Sequence, residues 1–133
     1  MKRMLLWLLS AVLIAGCSSR QLSSSQTATM PAASSGDLRM SMTFAPSPPV
    51  KGNETITISV NDASGSSVKG ASVRSTSNMP AMSMSGPTMV FQDNGDGTYS
   101  AVTNLNYSTK WVFRVSASQM GKSGKAEFRV DVP

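Results

Sequence analysis

From residue 38 onward apolar and polar side chains alternate in short runs. Leu38, Met40, Met42 and Phe44 fall on one side of the first run, with Arg39, Ser41 and Thr43 between them. A period of two predicts a strand with one buried face. Ile56, Ile58 and Val60 alternate with Thr55, Thr57 and Ser59 in a second strand, and Ala71 and Val73 open a third. Met89 and Phe91, then Tyr99 and Ala101, flank an Asp-Asn-Gly-Asp-Gly turn at residues 93–97. Trp111, Phe113, Val115 and Ala117 form one further inward face, and Ala126, Phe128, Val130 and Val132 form the last. About seven short strands punctuated by Pro, Gly, Asn and Asp, with no helical period among them, predict an all-β fold: an antiparallel sandwich of immunoglobulin-like architecture.

The first residues follow different rules. Lys2 and Arg3 precede an apolar run over residues 5–15, interrupted only by Ser10, which reads as a signal peptide. The run ends in Leu13-Ile14-Ala15-Gly16-Cys17, which resembles the lipobox of bacterial lipoproteins. On that resemblance residues 1–16 are removed and the Cys17 thiol takes a diacylglycerol, with further acylation such as palmitate, so it serves neither redox chemistry nor metal binding. Two or three acyl chains suffice for stable anchoring. Ser18 follows the cysteine where retention at the inner membrane usually calls for Asp, so a two-membrane bacterium would place the protein at the outer membrane, facing the periplasm. Residues 18–37 are mostly Ser, Thr, Ala and Gln, and read as a disordered tether between Cys17 and a domain spanning residues 38–133.

Composition narrows the chemistry. The 133 residues contain no histidine and one cysteine. Histidine-based triads and imidazole zinc sites are removed, and so is an internal disulfide. No convergent pair of carboxylates or activated nucleophile is visible, so no enzyme is expected. Twelve basic and seven acidic residues give a formal charge of +5, which falls to +3 once Lys2 and Arg3 leave with the signal. That mild excess, without a Lys/Arg block or interleaved aromatics, gives no reason to expect nucleic-acid binding.

One segment stands apart. Residues 78–87, NMPAMSMSGP, hold Met79, Met82 and Met84 within six residues. Thioether sulfur is soft and uncharged, which suits Cu(I) or Ag(I) and not Zn(II), Mg(II) or Ca(II). If the segment is extended, Met82 and Met84 project to the same side, and Pro80 limits its freedom. Met89 and Met120 are secondary candidates from neighbouring segments. An equal alternative is packing, since methionine fills irregular gaps well. Met40 and Met42 belong to a core face by their alternation, as does Trp111, which otherwise would be placed to shield a copper ion. Asp93 and Asp96 suit a hairpin turn better than a calcium loop, and the prolines at 46–49 a rigid connector.

Several blocks together resemble the YtkA-like domain family: FAPSPPVKGNETITISVNDASGSSVKGASV at 44–73, NMPAMSMSGP at 78–87, GDGTYSA at 95–101, and WVFRVSA at 111–117 followed by GKSG at 121–124. The resemblance implies an immunoglobulin-like envelope module, found as a stand-alone lipoprotein or attached to heavy-metal efflux and copper-handling proteins. It also implies that the Met-Pro-x-Met pattern at Met79, Pro80 and Met82 is a family feature. The chain departs from the family at Ser108-Thr109-Lys110, where a glycine turn is common. Lacking histidine for Cu(II), it is expected to bind Cu(I) or Ag(I) and pass it to an efflux or copper-handling partner. The other reading is a metal-free accessory module that contacts another envelope protein.

Overall fold

The computed structural model describes residues 30, 31 and 33–133, with side chains from Ser34 onward. The signal segment, Cys17 and most of the expected tether lie outside these described residues. The strands are β1 (Met30–Pro31), β2 (Ala33–Gly36), β3 (Leu38–Ala45), β4 (Gly52–Asp62), β5 (Ser72–Met79), β6 (Met84–Ser85), β7 (Met89–Val90), β8 (Gln92–Asp93), β9 (Thr98–Leu105), β10 (Lys110–Gln119) and β11 (Lys122–Asp131). A single 3-10 turn, η1 (Pro80–Met82), links β5 to β6. All the pairings are antiparallel. One sheet has the order β1-β3-β4-β9-β8; the other runs β2-β11-β10-β5-β6, with β7 also on β5.

The expected two-layer sandwich is present, and most of its interior consists of the alternating positions read from the chain, joined by Val68 and Leu105, which that pattern did not single out. Leu38, Met42, Ile56, Ile58, Val60, Tyr99, Leu105, Phe113 and Val130 are completely buried. Each such side chain withdrawn from water stabilises the fold by about 1.5–3 kcal/mol. Met40, Met42 and Trp111 are core residues, as their alternation predicted. β3 of the first sheet lies over β11 of the second, and Phe44 meets Phe113 with ring centroids 6.1 Å apart.

Two segments differ from the expected run of strands. The fourth strand, expected around Met89 and Phe91, is divided between the sheets. Met89 and Val90 pair with β5, Phe91 donates its N–H to Val73 O, and Gln92 and Asp93 then pair with β9 in the opposite sheet. A strand that changes sheets closes one side of a sandwich and has only two residues in each ladder, too few to show a period of its own.

The tether expected to reach residue 37 is also shorter than composition indicated. Met30 and Pro31 pair with β3, and β2 pairs with β11 from Ala33↔Glu127 to Gly36↔Gly124. These contacts run through the backbone at sheet edges, and Ser34, Ser35 and Gly36 are exposed. A serine-rich edge strand needs no apolar side chain to pair, so composition does not distinguish it from a linker. The turn at residues 93–97 is a side-chain-stabilised bend, as expected. Asp93 accepts N–H bonds from Gly95 at 2.7 Å and Gly70 at 2.8 Å, and Asp96 accepts one from Thr98 at 3.0 Å.

Candidate functional site

The methionine segment forms the tip of a hairpin at one end of the sandwich. β5 alternates outward Arg74, Thr76 and Asn78 with inward Val73, Ser75, Ser77 and Met79. Pro80 opens η1, where its fixed φ suits a helical start and its missing N–H costs nothing. Ser83, at φ 53°, stops the turn by adopting the left-handed region and donates its N–H to Pro80 O at 3.2 Å. The chain then returns as β6, with Met84 directly opposite Met79. Residues directly opposite in an antiparallel ladder share a face, with Cβ atoms about 4.5–5.5 Å apart.

Met79 and Met84 therefore stand side by side, but with different surroundings. Met79 is 2% exposed and belongs to the core, whereas Met84 on the edge and Met82 in η1 are each 40% exposed. Met82 is not part of an extended segment, so the shared side expected for Met82 and Met84 by strand alternation does not arise. Their proximity comes from the hairpin.

Beneath the hairpin is an aromatic floor. Gly86 donates its N–H to Ser77 O at 2.8 Å, and Ser77 Oγ donates to Pro87 O at 2.9 Å, tying the returning chain to β5. A Cβ at Gly86 would lie 2.8 Å from Trp111 Cζ3, so the chain passes directly against the indole. The ring is held in turn: Nε1 donates to Tyr107 O at 3.1 Å, and the indole stacks on Phe113 with an interplanar angle of 12°. Ser108-Thr109-Lys110 closes the connection from β9 to β10, and Thr109 O accepts the Val132 N–H at 3.0 Å.

The secondary candidates do not reach this hairpin. Met89 pairs with Ser75 and is buried, four residues along β5 from Met79, which is about 13 Å of strand. Met120 is 97% exposed with φ 44° in the turn after β10. Because β5 and β10 run antiparallel, with Asn78 opposite Val112 and Ser72 opposite Ser118, Met120 lies at the far end, roughly 30 Å from Trp111 along β10.

Residues 77–87 contain no ionisable side chain. Strand alternation places Arg114, which pairs across the sheet with Thr76, on the face opposite Met79. The hairpin thus presents neutral soft donors at which protons do not compete with a metal.

Glu54 went unnoticed in the sequence reading, although its parity with Ile56, Ile58 and Val60 was a signal for an inward carboxylate. It is completely buried on β4 opposite Thr103, toward the same end of the sandwich as Leu105 and the connection to Trp111. Oε1 accepts the Val50 N–H at 2.7 Å and so fixes the bend after β3. Among the described residues Oε2 has no hydrogen-bond partner.

No curated protein and no solved structure matches the chain. The YtkA-like family model matches residues 32–116, from the serine-rich edge strand through the methionine hairpin and the tryptophan strand, so the chain belongs to the YtkA-like family.

Proposed function

We propose that this YtkA-like protein is a lipid-anchored envelope carrier that binds Cu(I) or Ag(I) at its hairpin tip and passes the ion to an efflux or copper-handling partner. The observation that carries the reading is the hairpin itself: Met84 beside Met79, with Met82 in the three-residue turn between them, and two of the three side chains open to solvent. Methionine placed only for packing would be covered throughout, as Met40, Met42 and Met89 are. Thioethers suit a monovalent soft cation, and the open sides of Met82 and Met84 leave room for an incoming ligand from a partner. Exchange of neutral ligands fits transfer better than storage, and no reaction is assigned to the chain. Cys17 with its diacylglycerol supplies the anchor, at the periplasmic side of the outer membrane where there are two membranes.

The test is an anaerobic Cu(I) titration of the chain from Ser18 against a chromogenic competitor, beside the Met82→Leu/Met84→Leu double variant. Both substitutions are at exposed positions, so the fold is retained. The expected result is one ion per chain, an affinity weakened by at least about tenfold in the variant, and no change in affinity between about pH 5 and 8. Wild-type protein that fails to compete at micromolar concentration overturns the reading. It leaves the exposed methionines as an apolar contact surface for another envelope protein.

A further inference from the structure

The outward faces of the two sheets are electrostatically unlike. On the β1-β3-β4-β9-β8 sheet, β3 and β4 present Arg39 among Ser41, Thr43, Thr55, Thr57 and Ser59. The outer face of the other sheet carries Arg74, Lys110, Arg114, Lys125 and Arg129 against two carboxylates, Glu127 and Asp131. The remaining five basic and five acidic residues beyond Cys17 cancel, so the whole net charge of +3 resides on this one face.

Its charges are not all engaged. Arg114 and Arg129 both hold Glu127, at 3.2 and 3.0 Å, and Lys110 lies 3.7 Å from Asp131. Among the described residues the side chains of Arg74 and Lys125 make no hydrogen bond or ion pair. They flank Ser116 in one cross-strand row, Arg74↔Ser116↔Lys125, with Ser35 of β2 next in line. Two strand spacings put their Cα atoms about 10 Å apart, so both long side chains can reach one phosphate-sized anion above the Ser116 hydroxyl. An open groove of about 540 Å³ follows this row, lined also by Thr76 and Arg114.

We infer that this face rests on an anionic phospholipid surface, with headgroup phosphates taken between Arg74 and Lys125. Charge complementarity is one support. The path of the chain is the other: β2, the strand bordering the groove, follows the two-residue edge strand β1 of the opposite sheet, and only fifteen residues separate Cys17 from Ala33, at most about 55 Å of chain. An anchor within that reach keeps the domain close to the lipid plane and raises the local headgroup concentration, and the charge then selects the face. Lipid attachment belongs to the function proposed above, whereas the cationic face stands on the structure, and the two are separable by experiment.

The chain from Ser18, which carries no lipid, is sedimented with vesicles of phosphatidylglycerol and phosphatidylethanolamine at low salt, and with phosphatidylcholine vesicles for comparison. Each cation near an anionic surface strengthens binding by about fivefold, so Arg74→Gln/Lys125→Gln is expected to weaken it by about 25-fold. Arg39→Gln, on the opposite sheet, should leave it unchanged, and raised salt should abolish it. Equal binding to phosphatidylcholine, no loss in the double variant, or an equal loss with Arg39→Gln overturns the inference. Capture by polyglutamate but not by vesicles also overturns it, in favour of an acidic protein partner. Anchoring is read separately, from membrane retention of the full chain and its Cys17→Ser variant.

Discussion

Adding one methyl group at Gly86 should loosen the hairpin that carries the methionines. In Gly86→Ala the new Cβ collides with Ser77 Oγ, lies 3.4 Å from Ser77 Cβ and approaches Trp111 Cζ3 to 2.8 Å. The hydroxyl can rotate away, but it then gives up its bond to Pro87 O, a loss of about 1 kcal/mol. The indole cannot follow, because it is 1% exposed, stacked on Phe113 and tied by Nε1 to Tyr107 O. Overfilling a packed site of this kind costs about 1–3 kcal/mol. The total, about 2–4 kcal/mol, is a large part of the 5–15 kcal/mol typical of a domain, and lowers Tm by about 8 °C or more. Trp111 is the only tryptophan beyond the signal segment, so its fluorescence during urea unfolding reports directly on the strained contact. A lowered midpoint with an unchanged slope is expected. Combining Gly86→Ala with Ser77→Ala should cost about 1 kcal/mol less than the sum of the single variants, because the hydroxyl bond can be lost only once. A Gly86→Ala midpoint shift worth less than about 0.5 kcal/mol, or strict additivity in the double variant, would refute the packing reasoning.

Tyr99 bridges two parts of the chain: its buried phenol donates to Val68 O at 2.7 Å and accepts the Ala71 N–H at 3.0 Å. Tyr99→Phe should destabilise by about 1–3 kcal/mol in the same urea assay, and a wild-type midpoint would count against the bridge. Burial pushes the phenol above its ordinary value of 10.0, the Ala71 N–H opposes it less strongly, and the charge of Asp93 adds the smallest push upward. The folded state then holds the proton that the unfolded state releases, so stability should fall as pH rises past about 10, and a phenolate appearing without loss of fold would contradict this. At the acid end the signs reverse. The Ser64 hydroxyl at Asp62, the Thr98 hydroxyl at Asp96 and the Arg129 guanidinium at Glu127 each hold the carboxyl below its ordinary value of 3.8, 3.8 and 4.5 respectively. The stability they contribute is present above those values and lost below them, so the urea midpoint should drop between about pH 5 and pH 3. A flat profile there would exclude these three contacts as contributors.

Long strands with one wet face announced themselves in the sequence because each inward residue repeats at two. Leu38 to Phe44, Ile56 to Val60, and Trp111 to Ala117 needed nothing else, and their burial follows that parity except at Val112, which is buried as well. The segments that escaped this reading share a physical cause. β2, β7 and β8 are held by backbone pairing at sheet edges, over two to four residues each, and backbone pairing leaves no mark on side-chain order. Glu54 was legible by its parity, yet the partner of its Oε1, the Val50 N–H, is a backbone group that side-chain pattern cannot reveal.

The methionine hairpin shows where parity stops being sufficient. Met79 and Met84 share a face by register, and Met82 lies off that register because η1 interrupts the strand. Exposure then depends on which element is outermost: β5 has β10 on one side and β6 on the other, whereas β6 is the edge of its sheet. The same residue type is therefore a core side chain at 79 and an open one at 84, a difference that arises from tertiary position alone. It determines how the three should be tested. Met79→Leu changes packing and ligand together, so a weakened affinity in that variant is ambiguous. Met82→Leu and Met84→Leu remove sulfur where the side chains are largely open, and leucine keeps the apolar contact that remains. A metal affinity lost through those two, with an unfolding midpoint left unchanged, is a result that packing alone does not produce.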